Sequence, residues 1–145
     1  MGATRHDIPL HECLDLLDST HVGRLCIIDH GYPLAFPVNF RIVRDADALT
    51  VVVRVSPESS LARYDGLSSI EVDDINADGL QAWSVMVRGH LRRVYGAVDF
   101  PDTEPFVSDR RHQWLALEVD VISGRRFRAV SSGDAFSVDW QTVGN

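Results

Sequence analysis

The sequence predicts a mostly β protein: an antiparallel barrel of six to seven strands, closed or partly open, with a few short helices. Three observations point there. Residues 34–42 alternate strictly, with Leu34, Phe36, Val38, Phe40 and Ile42 on one face and Ala35, Pro37, Asn39 and Arg41 on the other. Residues 49–55 form a β-branched run long enough for a strand buried on both faces. Short turn signals, His30-Gly31 and Asp45-Ala46-Asp47, separate these runs as sequential antiparallel strands require.

Each element can be justified in order. Leu10, Cys13, Leu14 and Leu17 repeat at helical spacing, with Asp7 as cap and Pro9 tolerated in the first turn, which predicts a helix over residues 11–19. Gly23 breaks that pattern, and residues 24–29 read as a strand ending in the His30-Gly31 turn, so a hairpin follows. Pro37 has no N–H for a ladder, which puts the strand over 34–42 at an edge or a bulge. After the strand over 49–55, the loop Ser56-Pro57-Glu58-Ser59 leads to a short helical stretch over 60–65 that Gly66 stops. A fourth strand spans 69–73. Beyond an acidic loop over 74–79, residues 83–98 read as one long strand bent at Gly89 and Gly96. Residues 101–110 form a polar connection, 112–121 a sixth strand and 125–130 a seventh.

A chain of 145 residues suits one domain with one core, assigned to residues 1–130. The remaining tail, 131–145, holds Phe136 and Trp140 and either docks on a partner or frays. The apolar fraction of 45% and charged fraction of 24% are those of a soluble globular protein. A formal charge of −7 repels a polyanion over most of the surface, so nucleic acid is not an expected partner. The first nine residues carry charges and no long apolar run, neither a signal peptide nor a membrane anchor, so a cytoplasmic location is expected. Cys13 and Cys26 have no CxxC spacing and form no disulfide framework; both are expected reduced and buried.

The common chemical motifs are missing. His11-Glu12 begins a zincin-like pattern, but Asp15 stands where the second His would be, and the other histidines are scattered over different elements, so no metal site is expected. There is no GxGxxG, P-loop or GxSxG, and the acidic cluster Glu71, Asp73, Asp74 and Asp78 lacks the spacing and glycine of an EF-hand. If the protein is an enzyme, a cofactor must carry the chemistry.

Two segments narrow the field: Gly31-Tyr32-Pro33 leading into Pro37-Val38-Asn39-Phe40, and Trp83-Ser84-Val85-Met86-Val87-Arg88-Gly89. Together with the helical Glu12-Cys13-Leu14-Asp15-Leu16-Leu17, the strand Gly23-Arg24-Leu25 and the late Ser123-Gly124-Arg125-Arg126, in this order and spacing, the chain resembles actinobacterial proteins of the pyridoxamine 5'-phosphate oxidase-like family. The resemblance implies an FMN-binding split barrel of Greek-key topology that forms a homodimer, with each flavin in a cleft between subunits. It places the flavin phosphate on Arg54, Val55, Ser56, Ser59, Ser60 and Leu61, where Arg supplies a charged fork and serine hydroxyls further donors. Pro37, Val38, Asn39 and Phe40 would run beside the isoalloxazine ring and offer backbone groups to its polar edge. Trp83 and Ser84 would approach from the long strand of the same or the other subunit, and Arg88 would face a substrate or pair with Glu71 or Asp73.

The sequence departs from the family at two of these positions. Many relatives have Thr where Val55 stands and Lys or Arg where Ser60 stands, and a charged hydrogen bond is worth about 1.5–3 kcal/mol. Arg63, one turn later, is the candidate to replace the missing charge. The expected function is an FMN-dependent oxidoreductase acting on a small molecule, with a deazaflavin as the alternative cofactor. A different class is a non-catalytic flavin, deazaflavin or haem carrier, or a cofactor-free dimeric relative. Reduction of a bound chromophore by NAD(P)H and its reoxidation by an acceptor separate the two classes.

Overall fold

A computed structural model describes residues 4–76, 80–95 and 113–128 of the chain. The expectations for Gly96, for the polar connection over 101–110 and for the tail with Phe136 and Trp140 lie outside these residues. In chain order the elements are β1 (Thr4–Asp7), α1 (Leu10–Ser19), β2 (Val22–Asp29), β3 (Tyr32–Asp45), β4 (Ala48–Val55), a 3-10 turn (Ser60–Arg63), β5 (Gly66–Ile75), β6 (Gln81–Arg93) and β7 (Gln113–Arg128). His30 and Gly31, with φ of 50° and 82°, join β2 to β3 by the left-handed two-residue turn whose twist matches antiparallel strands. All pairings are antiparallel, in the order β1-β7-β4-β3-β2-β5-β6, and β6 also pairs with β7. Strands β2 to β7 therefore close into a six-stranded barrel, with β5 returning beside β2 as the Greek-key step, and β1 is added outside on β7.

Period-two alternation fills the barrel. Leu25 and Ile27 of β2, Val38 and Phe40 of β3, Val51, Val53 and Val55 of β4, Ile70 and Val72 of β5, Val85, Val87 and Leu91 of β6, and Leu115 and Leu117 of β7 form one buried cluster. Ile8 and the α1 residues Cys13 and Leu17 join it from one end, and Leu61 and Ala62 of the 3-10 turn from the loop after β4. β4 is the strand buried on both faces that its sequence predicts: Val52, opposite Ala116 of β7, is as buried as its inward neighbours. Pro37 pairs with Arg24 of β2, and β3 pairs with β4 only from Phe40 onward, so the proline occupies a stretch of β3 with a ladder on one side alone.

Several elements differ from the sequence expectation, each for a physical reason. Asp7 belongs to β1 and does not cap α1; the cap position is Pro9, with no side-chain cap bond. β1 itself was not expected, because four polar residues carry no periodic signal and the strand exists by pairing with 125–128 of β7. Gly66 does not merely stop the helical stretch but opens β5, and the sixth and seventh expected strands are one strand of 16 residues. The break expected between those two strands is absent: Gly124 lies inside β7, where Cys13 of α1 packs so closely that a Cβ would stand 2.6 Å from its Sγ. Cys26 also departs from expectation, being half-buried on the outer wall, whereas Cys13 is buried.

Candidate functional site

The family-implied phosphate segment is a real structural unit. Outward-facing Arg54 lies over the ring of Trp114, its cross-strand neighbour on β7, at 5.8 Å to the ring centre. The pairing holds the guanidinium against the wall by cation–π attraction and shields its stem. Past Val55 the chain turns: the Ser59 amide donates to the Ser56 carbonyl at 3.0 Å, and the Ser59 hydroxyl accepts from the Leu61 amide at 3.2 Å, capping the 3-10 turn. Leu61 and Ala62 then plug into the core, which fixes the loop between two anchored ends.

This arrangement divides the predicted residues by role. Arg54, Ser56, Ser59, Ser60 and Arg63 present polar groups along one connection. Val55 and Leu61 face the core, so only their backbone groups are available, and the absent Thr hydroxyl at 55 would have pointed inward. Ser60 and Arg63 are three residues apart in a 3-10 turn, where such positions eclipse, so the two side chains leave the turn on the same side. Asn39 neighbours Arg54 on the outer side, given the Phe40–Val53 pairing, while Val38 and Phe40 are core residues and Pro37 is exposed. Two arginines and three serines thus lie within residues 54–63, groups of the kind that bind phosphate oxygens.

Trp83 and Ser84 do not join this set within one copy. Trp83 packs against the core, and Ser84 points outward three strands away from Asn39, on the order of 15 Å around the wall. Ser84 belongs instead to a polar cluster that sequence reasoning assigned differently. Arg24 of β2, not Arg88, bridges the acidic pair: its Nη1 donates to Glu71 Oε2 at 3.2 Å and to Asp73 Oδ2 at 3.1 Å, and the Ser84 hydroxyl donates to Glu71 Oε1 at 3.3 Å. Desolvation, followed by the adjacent Asp73, pushes the Glu71 carboxyl up to about 7 despite the opposing pull of Arg24 and Ser84. The β2–β5 pairing that makes this cluster is a long-range Greek-key contact with no local signal; the same holds for Trp114 beneath Arg54.

A cleft of about 410 Å³ opens on the same outer wall, where β2 and β5 diverge. Cys26, Ile28, Leu67 and Val121 give it apolar walls, and Arg88 and Asp120 add one charge of each sign. Ile28, Leu67, Val121 and nearby Tyr32 are 58%, 74%, 44% and 71% exposed, an unusual density of large apolar groups for one surface. Among the described residues no group of three or more His, Cys, Asp or Glu side chains could hold a metal ion, and no helix is long and apolar enough to cross a membrane.

Comparisons with known proteins fit this architecture. A family model described as pyridoxamine 5'-phosphate oxidase matches residues 9–126. Among solved structures, an FAD binding protein from Mycobacterium smegmatis is 28% identical, with 86% of this chain and 100% of that chain covered and a TM-score of 0.65. An FAD-binding protein from Mesorhizobium loti aligns over 87% of this chain and 98% of its own at 19% identity and a TM-score of 0.65. An FAD and heme binding protein from Mycobacterium smegmatis aligns over 97% of this chain and 82% of its own at 15% identity and a TM-score of 0.57. No curated protein matches the chain.

Proposed function

Because the chain belongs to the pyridoxamine 5'-phosphate oxidase family, we propose that it is a cytoplasmic flavin-dependent oxidoreductase that works as a homodimer and holds FMN by its phosphate on Arg54, Ser56, Ser59 and Arg63. The observation that carries this reading is the anchored connection from Arg54 to Arg63. Its guanidinium groups and hydroxyls run from the end of β4 to the end of the 3-10 turn, with Arg54 supported by Trp114 and the turn capped by Ser59. Positioning is the protein's part: Arg54 and Arg63 bind charge, the serines orient the phosphate, and the backbone of 37–40 lines the neighbouring strand. A bound flavin supplies hydride or electron exchange with a small substrate.

The dimer explains two features that a single copy leaves unaccounted for. The apolar wall around Ile28, Leu67 and Val121 is covered by a second copy, and the opposite charges of Arg88 and Asp120 are self-complementary across a two-fold axis. FAD is the second reading, favoured by the Mycobacterium smegmatis FAD binding protein at 28% identity; the phosphate nearest the ring system is common to both cofactors, and the same donors serve either.

The test is an absorbance spectrum after incubation with FMN, FAD or a deazaflavin and desalting, in the wild type and in Arg54→Ala and Arg63→Ala. Retention of one cofactor is expected, with affinity weakened at least about tenfold in each variant, as loss of a charged hydrogen bond implies. Wild-type protein that keeps none of the three cofactors would overturn the reading. Reduction of the retained cofactor by NAD(P)H and reoxidation by an added acceptor distinguish an oxidoreductase from a carrier. A monomer by light scattering at micromolar concentration would remove the dimer.

A further inference from the structure

The barrel wall is uneven around its circumference. β6 and β7 pair from Gln81–Arg128 to Arg93–Leu115, and β2 and β3 along all of β2, whereas β2 and β5 pair over three positions only, Arg24–Glu71 to Cys26–Ser69. Beyond Cys26 the two strands part, and the 410 Å³ cleft begins where they separate. A single side-chain bond, from the Ser68 hydroxyl to the Cys26 carbonyl at 2.7 Å, reinforces that end. At the other end the seam is crossed by the Arg24 bridge to Glu71 and Asp73.

The bridge is unbalanced in charge. One arginine faces two carboxylates from β5, and β6 contributes the Ser84 hydroxyl and no further charge to the cluster. The next charged groups are Arg88, paired in register with Ser69, and Arg125 of β7, paired with Ser84. The Glu71 side chain is only 19% exposed, so a second full negative charge there is poorly solvated. We propose that the β2–β5 seam is a proton-operated closure of the barrel wall, held shut while Glu71 and Asp73 share one proton beside Arg24 and loosened when that proton leaves to solvent.

The sign follows from linkage. In the closed seam Glu71 is protonated up to about 7, while in an opened seam it is solvated and returns toward the ordinary value of 4.5. The stabilisation is therefore complete below the ordinary value and is lost as pH rises through about 7, after which it changes no further. The two carboxyls titrate as a pair, so the step belongs to both.

Amide hydrogen exchange from pH 5 to 8, corrected for the intrinsic pH dependence of exchange, tests the device. Protection of residues 24–26 and 69–71 should fall several-fold per pH unit up to neutrality, with about tenfold as the limit for one proton, and then level off. Residues 115–117 of β7, on the long seam and paired with β4 and β6, serve as the reference and should hold constant. In Glu71→Gln the seam should lose this dependence. Flat protection in the wild type, an equal change in the long seam, or a persisting dependence in the variant would overturn the proposal. If the variant does not fold, carboxyl titration of the wild type by carbon NMR decides: a joint step near neutrality that tracks the loss of protection supports the closure, and separate steps at ordinary carboxylate pH exclude it.

Discussion

The two seams that close this barrel reach the same topological result by different physics. Between β6 and β7 the join is backbone, a long ladder interrupted once where the register shifts between Arg88 and Gly89. Between β2 and β5 the join is three pairs and a side-chain bridge. The long seam gains backbone hydrogen bonds over its whole length, with the exposed Arg92–Glu118 pair only an addition to them; the short one depends more on charge and can respond to salt and pH. A barrel can thus carry a rigid side and a responsive side in one closed wall. Here the responsive side adjoins the apolar cleft and the rigid side carries Trp114, the platform for Arg54.

The largest expected effect strikes the rigid seam at Gly89. A Cβ at this position would stand 1.9 Å from the Glu118 carbonyl oxygen and 2.8 Å from its carbon, so no side chain fits unless the β6 and β7 backbones separate. Gly89→Ala should cost about 4 kcal/mol or more, or abolish folding, as read by urea denaturation. A loss under about 1 kcal/mol would show that the ladder yields easily and that the contrast between the seams is wrong.

Gly124 tests the same seam where the helix crosses it. A Cβ there meets Cys13 Sγ at 2.6 Å and Ile8 Cβ at 3.1 Å, and the first of these is a side-chain atom that can be removed. Gly124→Ala alone should destabilise by about 1–3 kcal/mol. Combining it with Cys13→Ala, which vacates the conflicting volume, should recover part of that loss and give a coupling of about 1 kcal/mol in a double-mutant cycle. Additive losses would place the strain in the β7 backbone and not in the contact with α1. Burial, followed by the charge of Glu12, raises the Cys13 thiol above its ordinary value, so the group should resist thiol reagents until the protein unfolds.

What the sequence made legible follows this division. Local signals were clear: the strict alternation of β3, the doubly buried β4, the His30-Gly31 turn and the Ser59-to-Arg63 turn all depend on residues within a few positions of one another. Long-range pairing was not. β1 exists only against β7, Trp114 comes beneath Arg54 through the β4–β7 register, and Arg24 meets Glu71 across the Greek-key step. The break expected between 121 and 125 failed for the same reason: what Gly124 meets, Cys13 and Ile8, is far away in the sequence. The candidate donor loop was named through the family resemblance and is one contiguous segment; the acidic cluster beside Ser84 has no such local signature, being assembled from three strands.

On the responsive seam the expected energies are smaller. Arg24 is 57% exposed, and an exposed ion pair is worth about 0.2–1 kcal/mol. Arg24→Ala should therefore cost no more than about 1 kcal/mol near pH 8, measured by denaturation at two pH values. The loss should shrink at pH 5, because the carboxyl that most needs the counter-charge is then protonated, and without the arginine Glu71 is pushed higher still. A loss that is equal at both pH values would mean that the side chain acts through packing alone.

The smallest effect belongs to the 3-10 turn, which sharpens the comparison because it serves both stability and the donor loop. Ser59 caps the turn through the Leu61 amide, and Leu61 with Ala62 closes the end of the barrel. Ser59→Ala removes the cap but leaves the hydrophobic anchors, so the expected cost is about 0.5–1 kcal/mol, at the low end for a cap because water can reach the freed amide of a part-buried site. Its effect on flavin retention should be larger in proportion than its effect on folding, since a phosphate donor and the local order of the loop are lost together. Equal protection of the loop amides in wild type and variant, with cofactor retention unchanged, would reduce Ser59 to an ordinary surface serine and leave Arg54, Ser56 and Arg63 as the proposed phosphate site.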